Sequence, residues 1–230
     1  MHLQSPHLRR SRLRTGTDDL GMSGSNCNHT TNICSPANNE YRATAEPVNA
    51  EAWMSIINGA TGIEWFCDDS LSYTYCLGDN GDPIANAIQA NLTYVDTAIL
   101  NYAPVINSPA TGMCTMITGA SYTSFTTSCS NGILTLSTGN SSLPASALVK
   151  NYSGVTYLLA QPAHNGTGTL THMLGGLGSK TAKVVYDSNA QYNPSHSSVG
   201  NAFTLNSSGQ FSDTFGANGD NYEVKIYTVQ

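Results

Sequence analysis

Charge is scarce in this chain: only 10% of its 230 residues are Asp, Glu, Lys or Arg. Basic residues are the scarcer kind, nine against fifteen acidic, giving a formal charge of −6 at pH 7. A nucleic-acid partner calls for a basic face, so that class is argued against. No apolar run approaches the ~18 residues of a membrane-spanning helix, so no span is expected. Cys-x-x-Cys and Cys–His spacings are missing, which argues against zinc, and no cofactor is expected. No Gly-x-Ser-x-Gly elbow occurs, and His29, His164, His172 and His196 are scattered without a triad-like setting. The run from Gly176 to Thr181 ends Gly-Ser-Lys-Thr, the wrong order for a phosphate loop.

What is abundant is Ser, Thr, Asn and Gly, a pattern common in secreted, strand-rich proteins. The six cysteines fall as three local pairs, Cys27/Cys34, Cys67/Cys76 and Cys114/Cys129. Fifteen pairings are open to six cysteines; the local one closes short loops without threading. Disulfides point to an exported, extracellular protein. Asn-x-Ser/Thr sequons start at Asn28, Asn91, Asn140, Asn151, Asn165 and Asn206, and matter only in a eukaryotic host. Residues 1–20 stand apart. Arg9, Arg10, Arg12 and Arg14 lie there without an apolar h-region, so the stretch is not a secretory signal. It reads as a disordered or non-native basic arm, with any signal peptide expected upstream.

The period then shows two helices followed by strands. Val48, Ala52, Trp53, Ile56 and Ile57 mark one helical face behind Pro47, and Gly59 suits its end. Trp53 is expected in the core. Gly62–Cys67 reads as a short buried strand and Asp68, Asp69 and Ser70 as a polar exit. A second helix is capped by Asp82, starts at Pro83 and is stopped by Pro104. Its buried face carries Ile84, Ile88, Leu92, Val95, Ile99 and Tyr102. From about Gly112 the period changes to two. Strands are expected over 113–118, 133–137, 147–152, 155–161, 167–174, 180–186, 202–205, 210–215 and 222–229, as in an antiparallel sandwich. A lone parallel strand between two helices lacks hydrogen-bonding neighbours. Its partners are expected in an upstream segment rather than in a partner chain or the sandwich.

The run NEYRATAEPVNAEAWMSIINGATGIEWFC resembles the last helix-to-strand step of a clan A, TIM-barrel glycoside hydrolase. The stretch from Phe211 to Tyr227 resembles the last strands of the β-sandwich appended to many such barrels. The resemblance spans roughly residues 40–230. It implies an α/β fragment, the end of a (β/α)8 barrel, over 21–106 and an all-β antiparallel sandwich over 107–230. It also implies a carbohydrate partner. The family's acid/base and nucleophile are glutamates on the fourth and seventh barrel strands, whereas this chain's barrel-like strand resembles the eighth. Both catalytic glutamates are therefore expected in sequence this chain lacks, so the chain alone is expected to be inactive. On this resemblance Trp65 is a sugar-stacking platform, and Glu64, Asp68 and Asp69 can bind sugar hydroxyls. Strand alternation sends Glu64 and Trp65 to opposite faces. Two functions follow: the C-terminal portion of a secreted glycoside hydrolase, or a non-catalytic carbohydrate-binding or adhesion sandwich.

Overall fold

The computed structural model describes residues 27–28, 33–34, 45–63, 83–118, 124–139, 143–217 and 222–230. The first elements are two-residue strands, β1 (Cys27–Asn28) and β2 (Ile33–Cys34), paired so that Cys27 stands opposite Cys34. Two helices follow, α1 (Ala45–Ile57) and α2 (Pro83–Ile106). Helix α1 starts two residues before Pro47, which costs nothing because N–H groups of the first turn have no intrahelical acceptor. Gly59 ends it at φ 96°, its N–H donating to the Ile56 carbonyl at 3.0 Å. Pro104 does not stop α2, which runs on to Ile106. The hydrogen bond it cannot make is to the carbonyl of Leu100, a residue that is 72% exposed, so the unpaired carbonyl lies on a turn open to solvent. The Asp82 cap lies outside the described residues.

The strands are β3 (Ala110–Thr115), β4 (Ser128–Asn131), β5 (Leu134–Thr138), β6 (Ala145–Tyr152), β7 (Val155–Pro162) and β8 (Gly168–Leu174). After them come β9 (Thr181–Asp187), the single helical turn α3 (Asn189–Tyr192), β10 (Ala202–Thr204), β11 (Gln210–Phe215) and β12 (Lys225–Val229). They form a six-stranded sheet, β10-β9-β12-β7-β6-β3, and a four-stranded sheet, β11-β8-β5-β4. Every strand pair among the described residues is antiparallel. Leu134, Leu136, Leu158, Leu170, Phe215 and Tyr227 fill the space between the sheets. A disulfide between Cys114 on β3 and Cys129 on β4 joins the edges of the two sheets, with Cα atoms 5.8 Å apart. This pair is among those the spacing suggested, and a disulfide is consistent with an extracellular location.

The helices do not stand beside the sandwich as a separate body. Trp53, Ile56 and Ile57 of α1 and Ala98 and Ile106 of α2 pack on Leu148, Leu159, Tyr186, Val224 and Ile226. That is the outer face of the six-stranded sheet. The last strand alternates as its sequence reads, but both sides are covered: Ile226 faces the helices and Tyr227 the sandwich interior. No barrel strand occurs among the described residues. The stretch 62–67 opens in coil at Gly62 and Ile63, and the rest lies outside them. Helix gives way to strand between Ile106 and Ala110, and the cluster between helices and sheet draws residues from both sides of that junction.

The turn joining β4 to β5 gives a simple test of this packing. Gly132 has φ 59°, and a Cβ there would run into the carbonyl of Thr111. Gly132→Ala is expected to destabilise the protein by about 2 kcal/mol or more, read as a lower urea midpoint.

Candidate functional site

Tyr186 owes its place to an irregularity. Along β9, Ala182 and Val184 face the sandwich interior, and plain alternation would send Tyr186 there too. The register against β12 shifts instead: Ile226 pairs with Tyr186, while Tyr227 pairs with Val184. The extra residue, Val185, is a bulge that turns the tyrosine onto the helix side. There it meets α2, whose Tyr94 and Tyr102 lie eight residues apart and so share a helix face. Tyr94, Thr97, Ala98, Asn101 and Tyr102 with Val185 and Tyr186 line a cleft of about 500 Å³.

The aromatic wall is fixed from behind. Trp53 Nε1–H donates to Tyr186 Oη at 3.2 Å, with ring centroids 5.1 Å apart. Tyr102 Oη donates to the Val185 carbonyl at 3.2 Å and meets Tyr186 edge-on. Tyr94 lies nearly parallel to Tyr186, at 24° and 6.4 Å. Burial pushes the Tyr102 phenol up to about 12, helped by its tyrosine neighbours Tyr157 and Tyr94. Burial also raises Tyr94 and, much further, Tyr186. These phenols stay neutral at physiological pH. The described walls thus offer flat rings, hydroxyls and an amide but no charge.

A second polar group lies inside the sandwich. Lys225 Nζ is 3.1 Å from Asp213 Oδ2 and 3.2 Å from Glu223 Oε1, donates to the Thr214 carbonyl at 2.9 Å and sits 4.6 Å above the Phe215 ring. Tyr227 Oη donates to Asp213 Oδ2 at 2.7 Å. Glu223 accepts from Asn189 Nδ2 and the Gly216 N–H. Burial pushes its carboxyl up to about 7, against the pull of Lys225. His172 lies nearby among Phe211, Phe215 and Tyr227, fully buried, with neither ring nitrogen hydrogen-bonded. A smaller hollow between α1 and the end of β7 is lined by Glu51, Met54, Gln161, His164 and Tyr222 among others. Gln161 ties the two elements there by donating to the Ala50 carbonyl at 2.8 Å.

Of the residues the sequence singled out for sugar binding, Glu64, Trp65, Asp68 and Asp69 lie outside the described residues, as do Cys67 and Cys76. Trp53 is fully buried, as its helical position implied. His164 sits in a bend with Nδ1 near the Asn165 carbonyl. No group of three His, Cys, Asp or Glu residues suited to a metal occurs among the described residues, and no described helix is long and apolar enough to cross a membrane. Sequence reasoning named Tyr102 only as part of a buried face and missed the cleft. The available signal was the eight-residue spacing of Tyr94 and Tyr102. Comparison of the chain with protein-family models, with curated proteins and with solved structures finds no match.

Proposed function

We propose that this chain is a non-catalytic, carbohydrate-binding β-sandwich from an exported protein that acts on polysaccharides. One observation carries the reading: the cleft between α2 and β9 is walled by tyrosines held from behind, with Asn101 and Thr97 beside them. A sugar presents C–H faces that stack on such rings and hydroxyls that an amide and a hydroxyl can pair. Glycoside hydrolysis needs two carboxyl groups astride the bond, and the described walls supply neither. Binding without turnover is the expected behaviour.

Affinity electrophoresis of the full chain in gels containing soluble plant, fungal and bacterial polysaccharides tests this. Retardation is expected in at least one gel. Tyr94→Ala and Asn101→Ala are expected to weaken it roughly tenfold, equivalent to about 1.4 kcal/mol. Unretarded migration in every gel, or variants that bind like the parent, would overturn the reading.

A second, related reading rests on the sequence resemblance, not on the packing. The stretches over 40–67 and 211–227 resemble the end of a hydrolase barrel and its appended sandwich. On that reading the chain is the C-terminal portion of a secreted glycoside hydrolase, with the catalytic glutamates encoded upstream. An upstream frame encoding further barrel strands and a catalytic glutamate would support it; stop codons in all frames would remove it.

A further inference from the structure

The lysine inside the sandwich has more acid around it than an ion pair needs. Lys225 belongs to the six-stranded sheet and Asp213 to the four-stranded one, so their contact bridges the two layers. Their side chains are 3% and 11% exposed, and Asp213 lies on the inward side of β11 between Phe211 and Phe215. One aspartate already balances the lysine's charge. Glu223, 3% exposed, is a second carboxyl against the same amine. An amine, a carboxyl and a spare buried acid–base group, closed in by aromatic rings, are the components of a condensation.

We propose that Lys225 and Asp213 join in an intramolecular amide bond from Nζ to Cγ, covalently linking the two sheets, with Glu223 as the proton carrier. A proton first passes from the ammonium to the Asp213 carboxylate, converting the ion pair to free amine and acid. The Nζ lone pair attacks Cγ. The Thr214 N–H, 2.7 Å from Asp213 Oδ1, steadies the charge that develops on that oxygen. Glu223 accepts a second proton from Nζ and returns it to Oδ2, which also holds the Tyr227 hydroxyl. The Cγ–Oδ2 bond breaks and Oδ2 leaves as water. One N–C bond forms and one C–O bond breaks. Nothing is oxidised or reduced, and Glu223 ends as it began.

The geometry supplies what such a condensation lacks in solution. Reactive groups held in contact reach effective concentrations on the order of 10⁵–10⁸ M. The enclosure around Lys225 excludes the bulk water that would favour hydrolysis. With its carboxyl raised to about 7, Glu223 gains and loses a proton readily near neutral pH. Phe215 beneath the amine and Tyr227 beside the carboxyl restrict both to this contact. The link is independent of any ligand in the cleft between α2 and β9.

Intact mass spectrometry of the full-length, reduced and unglycosylated protein decides the matter. The expected mass is that of the sequence less one water. A protease digest should contain one branched peptide joining the segment around Lys225 to that around Asp213. Lys225→Ala and Asp213→Ala should restore the full sequence mass. Glu223→Ala should leave the amine and acid unjoined in a chain whose circular dichroism remains that of a β protein. A parent protein at full sequence mass overturns the proposal without recourse to any variant. Loss of water that persists in Lys225→Ala places the dehydration elsewhere and overturns it equally. Complete linkage in Glu223→Ala removes the role given to that residue.

Discussion

Trp53→Ala is expected to destabilise the protein by about 3–5 kcal/mol, near the top of the range for a single core substitution. The indole is fully buried where α1 meets the six-stranded sheet, and its loss leaves a large void among Ile56, Tyr102, Tyr186 and Ile226. It also removes the donor to the Tyr186 hydroxyl, leaving that largely buried phenol with Tyr94 as its remaining side-chain partner. The residues exposed if α1 comes away are the sandwich's own: Leu148, Leu159, Val224 and Ile226. A single cooperative urea transition that moves as a whole is therefore expected. If Trp53→Ala released the helices while leaving a strand-rich unit of unchanged midpoint, the common core would be refuted. For the same reason a chain cut down to residues 107–230 is expected to associate through its uncovered sheet.

His172→Leu is expected to stabilise the protein. Both ring nitrogens are buried without a hydrogen-bond partner, a penalty of about 1–3 kcal/mol that a leucine of similar bulk avoids. The gain should grow in acid. Burial holds His172 down to about 4, from an ordinary 6.5. Between those values the unfolded chain takes up a proton that the folded chain refuses. Stability therefore falls as pH drops from 6.5 to 4, by about 3 kcal/mol from this group.

Glu223 acts in the opposite sense. Its folded value near 7 exceeds the ordinary 4.5, so its contribution is present below pH 4.5 and is lost as pH rises through 7. That too amounts to about 3 kcal/mol. In the parent protein the two slopes offset each other between pH 4.5 and 6.5. Relative to the parent, His172→Leu should gain ground steadily as pH falls through this window, whereas Glu223→Gln should lose it. Urea midpoints at a series of pH values measure both differences. A His172→Leu advantage that stays constant from pH 7 to pH 4 would show that His172 does not titrate as its surroundings imply.

Strand positions were the most legible part of the sequence, and the reason is physical. In β5 and β8 buried residues, leucines foremost, recur at every second place because a filled interior lies on one side. Nine strands were expected between 113 and 229, and each overlaps an observed one. The tenth, β4, reads Ser-Cys-Ser-Asn and lies mostly in solvent, so it leaves no alternating trace. Both helices were equally plain from their apolar stripes. Their cover was not. A stripe such as Trp53, Ile56 and Ile57 says that something packs there, not whether that is an upstream barrel or a sheet encoded a hundred residues later. The cleft failed to show for a narrower reason. One inserted residue, Val185, reverses the facing of Tyr186, and no period in the chain records it. Likewise the alternation of Glu223, Lys225 and Tyr227 was visible. That their side of the strand faces an interior was not.

The hydrogen bond from the Tyr192 hydroxyl to Asn91 Oδ1 joins α3 to α2, and Asn91 is only 2% exposed. Asn91 also opens an Asn-Leu-Thr sequon. In a host that attaches N-glycans to chains still being translocated, the transferase and the folding helix compete for that one side chain. A sugar on Asn91 has no room beneath Tyr192, so a chain modified there is excluded from its native packing. Asn151 and Asn165 lie exposed and carry no such conflict. Yield in such a host is then governed by timing, by how soon α2 is sequestered after it emerges, and a bacterial periplasm avoids the race.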